Sequence, residues 1–188
     1  MKKVALMLAN GFEEIEALTV VDVLRRAGFV CDMIGFEETV TGSHQITVQA
    51  DQVWNGNLSA YDMVVLPGGM PGSTNLRGDN RLMNVLKEFQ AEDKFVAAIC
   101  AAPIALDQAG LLNDKNFTCY DGVEEAIENG SYLKQTVVVD GKLITSRGPS
   151  TALPFAYELV RQLGGDADQL ATGMLAPKIG RASCRERV

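Results

Sequence analysis

Histidine is nearly absent from this 188-residue chain: His44 stands alone, and the four cysteines, Cys31, Cys100, Cys119 and Cys184, form no C-x-x-C pair. Neither a zinc site nor a disulfide framework is indicated. Long apolar runs are also lacking. Met63–Leu66 and Phe95–Leu106 fall far short of the ~20 residues that cross a bilayer. Val4–Ala9, behind Met1-Lys2-Lys3, breaks at Asn10-Gly11 and at the acidic Glu13, Glu14 and Glu16. It reads as a first strand and not as a secretion signal. No G-x-G-x-x-G, phosphate-binding loop or H-E-x-x-H occurs, which removes the usual nucleotide and metalloprotease readings. Positive charge is scarce. Seventeen Lys and Arg against 24 Asp and Glu leave −7, which argues against nucleic acid or an anionic membrane as partner. The expectation is a cytoplasmic protein without metal or cofactor.

One domain over residues 1–178 is expected. The last ten residues, 179–188, break with it in charge and pattern, carrying three arginines against one glutamate. They resemble a translated sequencing adaptor and are expected to be a non-native tail, Cys184 included.

What the chain has is alternation of strand and helix patterns. Val4–Ala9, Phe29–Ile34, Met63–Leu66 and Phe95–Ile99 read as strands, with a short one at Gln45–Ala50. Glu14–Ala27, Arg81–Glu92 and Pro103–Ala109 read as helices, the first and last stopped by Gly28 and Gly110. Further on come a strand Phe117–Tyr120 and a short helix Val123–Asn129. A hairpin follows, Thr136–Val139 and Lys142–Thr145 around Asp140-Gly141. A last helix, Thr151–Leu163, is expected to be capped by Ser150, with Pro154 near its first turn. Apolar strands alternating with helices predict a doubly wound α/β domain with a mainly parallel sheet. Ligands of such sheets bind beyond the carboxyl ends of the strands. Three segments lead there: Asn10–Glu16, Pro67–Gly72 and Cys100–Pro103.

The stretch Val96–Leu106 is the most informative. An apolar strand ends at Cys100, and Ala101-Ala102-Pro103 opens a helix. A thiol at such a corner faces a helix N-terminus, which favours thiolate and hence nucleophile. A small buried cysteine at a strand–helix join is the bland alternative. Glu16 sits in the first turn of an apolar helix. Facing inward it would be desolvated and keep its proton; the alternative is an acidic residue favoured at any helix start. Pro67-Gly68-Gly69 offers unhindered N–H groups that, with Ala101, suit an oxyanion hole, or else forms a plain strand-exit turn. His44 is expected in a surface turn, distant from Cys100.

Five separated motifs agree in order with a known family: Gly11–Glu16, Asp22–Gly28, Asp62–Gly69, Ala97–Pro103 and Leu143–Pro149. The chain resembles the DJ-one branch of the ThiJ/PfpI superfamily. The resemblance implies a flavodoxin-like three-layer sandwich and a homodimer. It also implies a reactive Cys100 at a nucleophile elbow, partnered by protonated Glu16, with backbone oxyanion donors at Gly69 and Ala101. It implies cofactor-independent chemistry of glyoxalase III or deglycase type on methylglyoxal, glyoxal or early glycation adducts. Tyr120 stands where several members have histidine, and is expected to donate a hydrogen bond to substrate. Ala101 stands where the peptidase branch has histidine, so proteolysis is not implied. The other implied class is a redox-sensing or chaperone-like protein in which Cys100 becomes a sulfinate.

Overall fold

Period-two alternation within apolar strands sets the architecture. In β1 (Lys3–Leu8), Val4, Leu6 and Leu8 enter one core while Ala5 and Met7 enter the other, because successive side chains of a strand point to opposite faces. Strands apolar on both sides need helices on both sides. The computed structural model describes residues 1–176 and has that arrangement.

After β1 come α1 (Glu14–Arg26), β2 (Val30–Gly35), a small hairpin of β3 (Thr39–Thr41) and β4 (Thr47–Gln49), and β5 (Gln52–Val53). Then β6 (Met63–Leu66) leads to α2 (Gly72–Gly78) and α3 (Asn80–Ala91), and β7 (Phe95–Ile99) to α4 (Pro103–Gln108). The short pair β8 (Asn116–Phe117) and β9 (Ser131–Tyr132) precedes β10 (Val137–Asp140) and β11 (Leu143–Ser146). Helices α5 (Ala152–Gln162) and α6 (Ala167–Gly173) follow. The main sheet is ordered β10-β11-β7-β6-β1-β2-β5, parallel throughout except for the β10–β11 hairpin. Val20 and Leu24 of α1 pack with Phe155 and Leu159 of α5 on one face. Leu76 of α2, Leu86 of α3 and Leu106 of α4 cover the other. This is a flavodoxin-like three-layer sandwich. Among the described residues no helix is long and apolar enough to cross a membrane.

Three local expectations are corrected. The strand Phe117–Tyr120 shrinks to Asn116–Phe117 and pairs outside the main sheet, so Cys119 lies beyond it. The helix Val123–Asn129 is a single tight turn, Val123–Ala126, entered through left-handed Gly122. Ser150 does not cap α5. Thr151 does the local work, its Oγ1 accepting from Gly148 N at 3.0 Å and donating to Gly148 O at 2.9 Å. Pro154 does fall in the first turn of α5. The expected tail, 179–188, lies outside the described residues.

Candidate active site

The strand order reverses between β1 and β6, and the exits of these strands and of β7 lie side by side at the carboxyl edge. Such a reversal leaves a crevice. All three segments expected there arrive, and the exit of β11, which runs parallel to β7, brings a fourth at Arg147.

Glu16 is fully buried. Glu13 caps α1, its Oε2 accepting the Glu16 N–H at 2.8 Å, and its own N–H donates to Gly68 O at 2.8 Å. Helix start and glycine loop are thereby tied together. Glu16 Oε2 accepts the Gly68 N–H at 2.8 Å. The other oxygen is buried with no partner of ordinary geometry, and the Cys100 thiol faces the same carboxyl. Burial raises the Glu16 pKa to about 7; the Cys100 and Gly68 hydrogen bonds oppose it and the charge of Glu13 adds to it.

Cys100 follows β7 directly and has φ +65°. A non-glycine residue in that region costs roughly 1–3 kcal/mol and persists only where its surroundings hold it. Here its N–H donates to Ser146 O and its carbonyl accepts from Tyr120 N, both at 3.0 Å. The backbone N–H groups of Gly69 and Ala101 are near enough to favour a thiolate at this sulfur. The expectation of a thiol acidified by a helix terminus is corrected. Burial first, then the facing Glu16 carboxylate, push the Cys100 thiol up, and the two N–H groups only oppose this. Helix α4 has six residues and starts three positions on, at Pro103, whereas terminus effects fade within a turn. Cys31 and Cys119 are also pushed up, each to about 12, mainly by burial. What sets Cys100 apart is its partner.

Gly68 has a different place from the one expected. Its N–H is spent on Glu16, so it does not face an oxyanion. A Cβ there would lie 2.5 Å from both Cys100 Cβ and Glu16 Oε2. Glycine lets the two side chains meet. Gly69 has φ +87°, and a Cβ there would lie 2.4 Å from Glu13 N and 2.5 Å from Gly11 O, so only glycine fits this turn.

A buried carboxyl thus faces a thiol on a left-handed corner. Residues 2–162 match the DJ-1/PfpI family. The chain belongs to that family. It is 38% identical over 182 residues to the Drosophila melanogaster protein dj-1beta, covering 93% of this chain and 97% of that one. A Pyrococcus horikoshii protein named a deglycase is 31% identical over 165 residues, covering 86% and 99%. The crystal structure of a cysteine-to-alanine mutant of a DJ-1 superfamily protein from Salmonella typhimurium superposes with a TM-score of 0.89 at 34% identity. It covers 94% of this chain and 100% of that one.

In this DJ-1/PfpI chain, Tyr120 touches Cys100 through its backbone; the residue is 53% exposed and its ring lies beside Gly148. His44 is exposed and is not brought to Cys100. Its Nδ1 lies 2.8 Å from Glu14 Oε2 and 3.9 Å from Glu13 Oε1. Burial would raise the Glu14 pKa, but the His44 ring and the N–H groups it accepts hold the carboxyl below its ordinary value. Glu13, Glu14 and His44 are close enough to chelate an ion, yet Glu14 already accepts the His44 N–H at 2.6 Å and the ring. The trio ties the β3–β4 hairpin to α1. Sequence reasoning missed two residues here. Glu13, three positions before Glu16, carried a capping signal. Arg147, directly after an apolar strand and before Gly148-Pro149, carried a strand-exit signal.

Proposed function

We propose that this chain is a cofactor-independent, cysteine-dependent enzyme of glyoxalase III or deglycase type. Its substrates on this reading are methylglyoxal, glyoxal or early glycation adducts. The observation that carries the reading is the fully buried Glu16, raised to about 7 and facing the Cys100 thiol. A proton carrier poised near neutrality beside a nucleophile suits acid–base work. The deglycase name of the Pyrococcus relative supports the same class.

The pair shares one dissociable proton near pH 7. Transfer from sulfur to Glu16 gives a thiolate that adds to the aldehyde carbon, forming the C–S bond as the carbonyl π pair moves onto oxygen. Gly69 and Ala101 N–H groups hold that charge, and Glu16 returns its proton to it, leaving a hemithioacetal. Glu16 carboxylate then takes the hydrogen of the former aldehyde carbon and delivers it to the adjacent carbonyl carbon. The hydroxyl proton moves between the two oxygens, and a hydroxyacyl thioester results. Water breaks the C–S bond, the sulfur regains a proton, and lactate leaves in the methylglyoxal case. Carbon is reduced at one position and oxidised at the next, so no redox cofactor is needed. Tyr120 donates a hydrogen bond to the substrate. Ala101 stands where the peptidase branch has its histidine, so peptide hydrolysis is not part of this reading.

Turnover of methylglyoxal to lactate by the purified protein, with loss of at least about 10³-fold in Cys100→Ser, is the expected result. A sulfinate-sensing protein would instead show oxidation of Cys100 by peroxide and no turnover, which would remove the enzymatic reading.

We also propose a homodimer through α1. Ile15 is 56% exposed, and Ile46, whose N–H lies 3.5 Å from Glu14 Oε1, is 52% exposed beside it. Apolar groups clustered at a helix start invite a second copy. Light scattering at micromolar concentration should give twice the chain mass, and Ile15→Glu should shift it to monomer. A wild-type monomer would contradict this.

A further inference from the structure

A cavity of about 230 Å³ is lined by Tyr120, Asp121, Arg147 and the turn 148–151, on two segments whose backbones are bonded to that of Cys100. Both of its walls are anchored to the cysteine. Tyr120 N bonds Cys100 O, and Arg147 follows Ser146, whose carbonyl accepts from Cys100 N. We infer that this cavity is a carboxylate subsite read by Arg147, so that the favoured substrates are aldehydes or glycation adducts bearing an anionic group next to the reacting carbonyl. The inference rests on the aldehyde reading above for the reaction, though not for the binding.

Three observations carry it. A guanidinium offers five N–H donors in a planar fork suited to carboxylate. Among the described residues the Arg147 side chain spends one terminal nitrogen, on Asp121, and its Nε is buried without a partner. Among the described residues the other terminal nitrogen has no partner and keeps its donors for the cavity, whereas the buried Nε is closed to a ligand. The charge around it is positive as well. Asp121 also pairs with Lys134 at 2.9 Å, so two cations share one carboxylate. That local excess stands out in a chain of net charge −7. Finally, the arginine is only 31% exposed and held in place by Asp121, so it need not be ordered when a ligand arrives.

Alkylation of Cys100 tests this without any turnover. Iodoacetate and iodoacetamide differ only in the carboxylate, and each rate is divided by its rate on N-acetylcysteine at the same thiolate fraction. The full chain is expected to favour iodoacetate over this reference by at least about fivefold, as a charge-assisted hydrogen bond implies. Arg147→Gln should abolish the preference while changing the iodoacetamide rate by less than about twofold, and Arg147→Lys should retain part of it. A wild-type preference at or below the N-acetylcysteine reference overturns the proposal with no variant needed. An unchanged preference in folded Arg147→Gln overturns it equally. The two readings fail separately. Preference for iodoacetate without methylglyoxal turnover removes the aldehyde chemistry and leaves the subsite; turnover without the preference removes only the subsite.

Discussion

Between pH 5 and pH 8, Glu16→Gln is expected to gain roughly 3 kcal/mol of stability relative to the wild type. The folded protein holds the Glu16 proton up to about pH 7, whereas the ordinary value of this carboxyl is 4.5. Between those values the folded state binds more protons than the unfolded state, so stability falls as the pH rises. The contribution is complete below 4.5 and is lost as the pH passes through about 7. Roughly two and a half pH units correspond to roughly 3 kcal/mol. Glutamine has no proton to lose, so its stability does not fall over this window on account of position 16. Urea unfolding of both proteins at the two pH values checks this. Parallel pH profiles would mean that Glu16 is ionised in the native site.

Gly68→Ala is expected to lower turnover by about 10²-fold, because a displacement near 1 Å between reacting groups has that effect on rate. One methyl group would press on Cys100 Cβ and Glu16 Oε2 at 2.5 Å each, and on Ile99 O at 3.0 Å. Neither neighbour can swing away without breaking the pair. Overpacking of this kind also costs roughly 1–3 kcal/mol of stability. Gly28→Ala is the control. It sits at φ +83° with nothing within 4 Å, so it should cost roughly 1 kcal/mol of strain and leave activity alone. Equal activity in the two variants would contradict the assigned place of Gly68.

The sheet was legible in the sequence because β1, β6 and β7 are apolar on both faces, and each ends at a residue that breaks the run. The same breaks, Asn10-Gly11, Pro67-Gly68 and Cys100, brought the site's loops into view. Helix α2 was not legible. Its sequence, Gly-Ser-Thr-Asn-Leu-Arg-Gly, has poor helix formers, and Leu76 packing in the core supplies what propensity does not. Helix α6 was missed despite a capping signal, Asp166 accepting from Gln169 N. The left-handed backbone at Cys100 and the use of Gly68 N–H by Glu16 depend on contacts between segments tens of residues apart. No local pattern encodes them. The environment of the Cys100 thiol escapes the sequence for the same reason: the helix behind it is visible there, whereas the burial that pushes the thiol up is not.

In the proposed mechanism Cys100 adds to the aldehyde and Glu16 then moves a proton between carbons. Intact-protein mass spectrometry of Glu16→Gln mixed with methylglyoxal, with lactate measured in the same sample, separates the two roles. The expected result is an adduct on Cys100, absent from the Glu16→Gln/Cys100→Ser double variant, with lactate formation reduced at least about 10²-fold. Wild-type lactate formation by Glu16→Gln, or adducts that persist in the double variant, would contradict it.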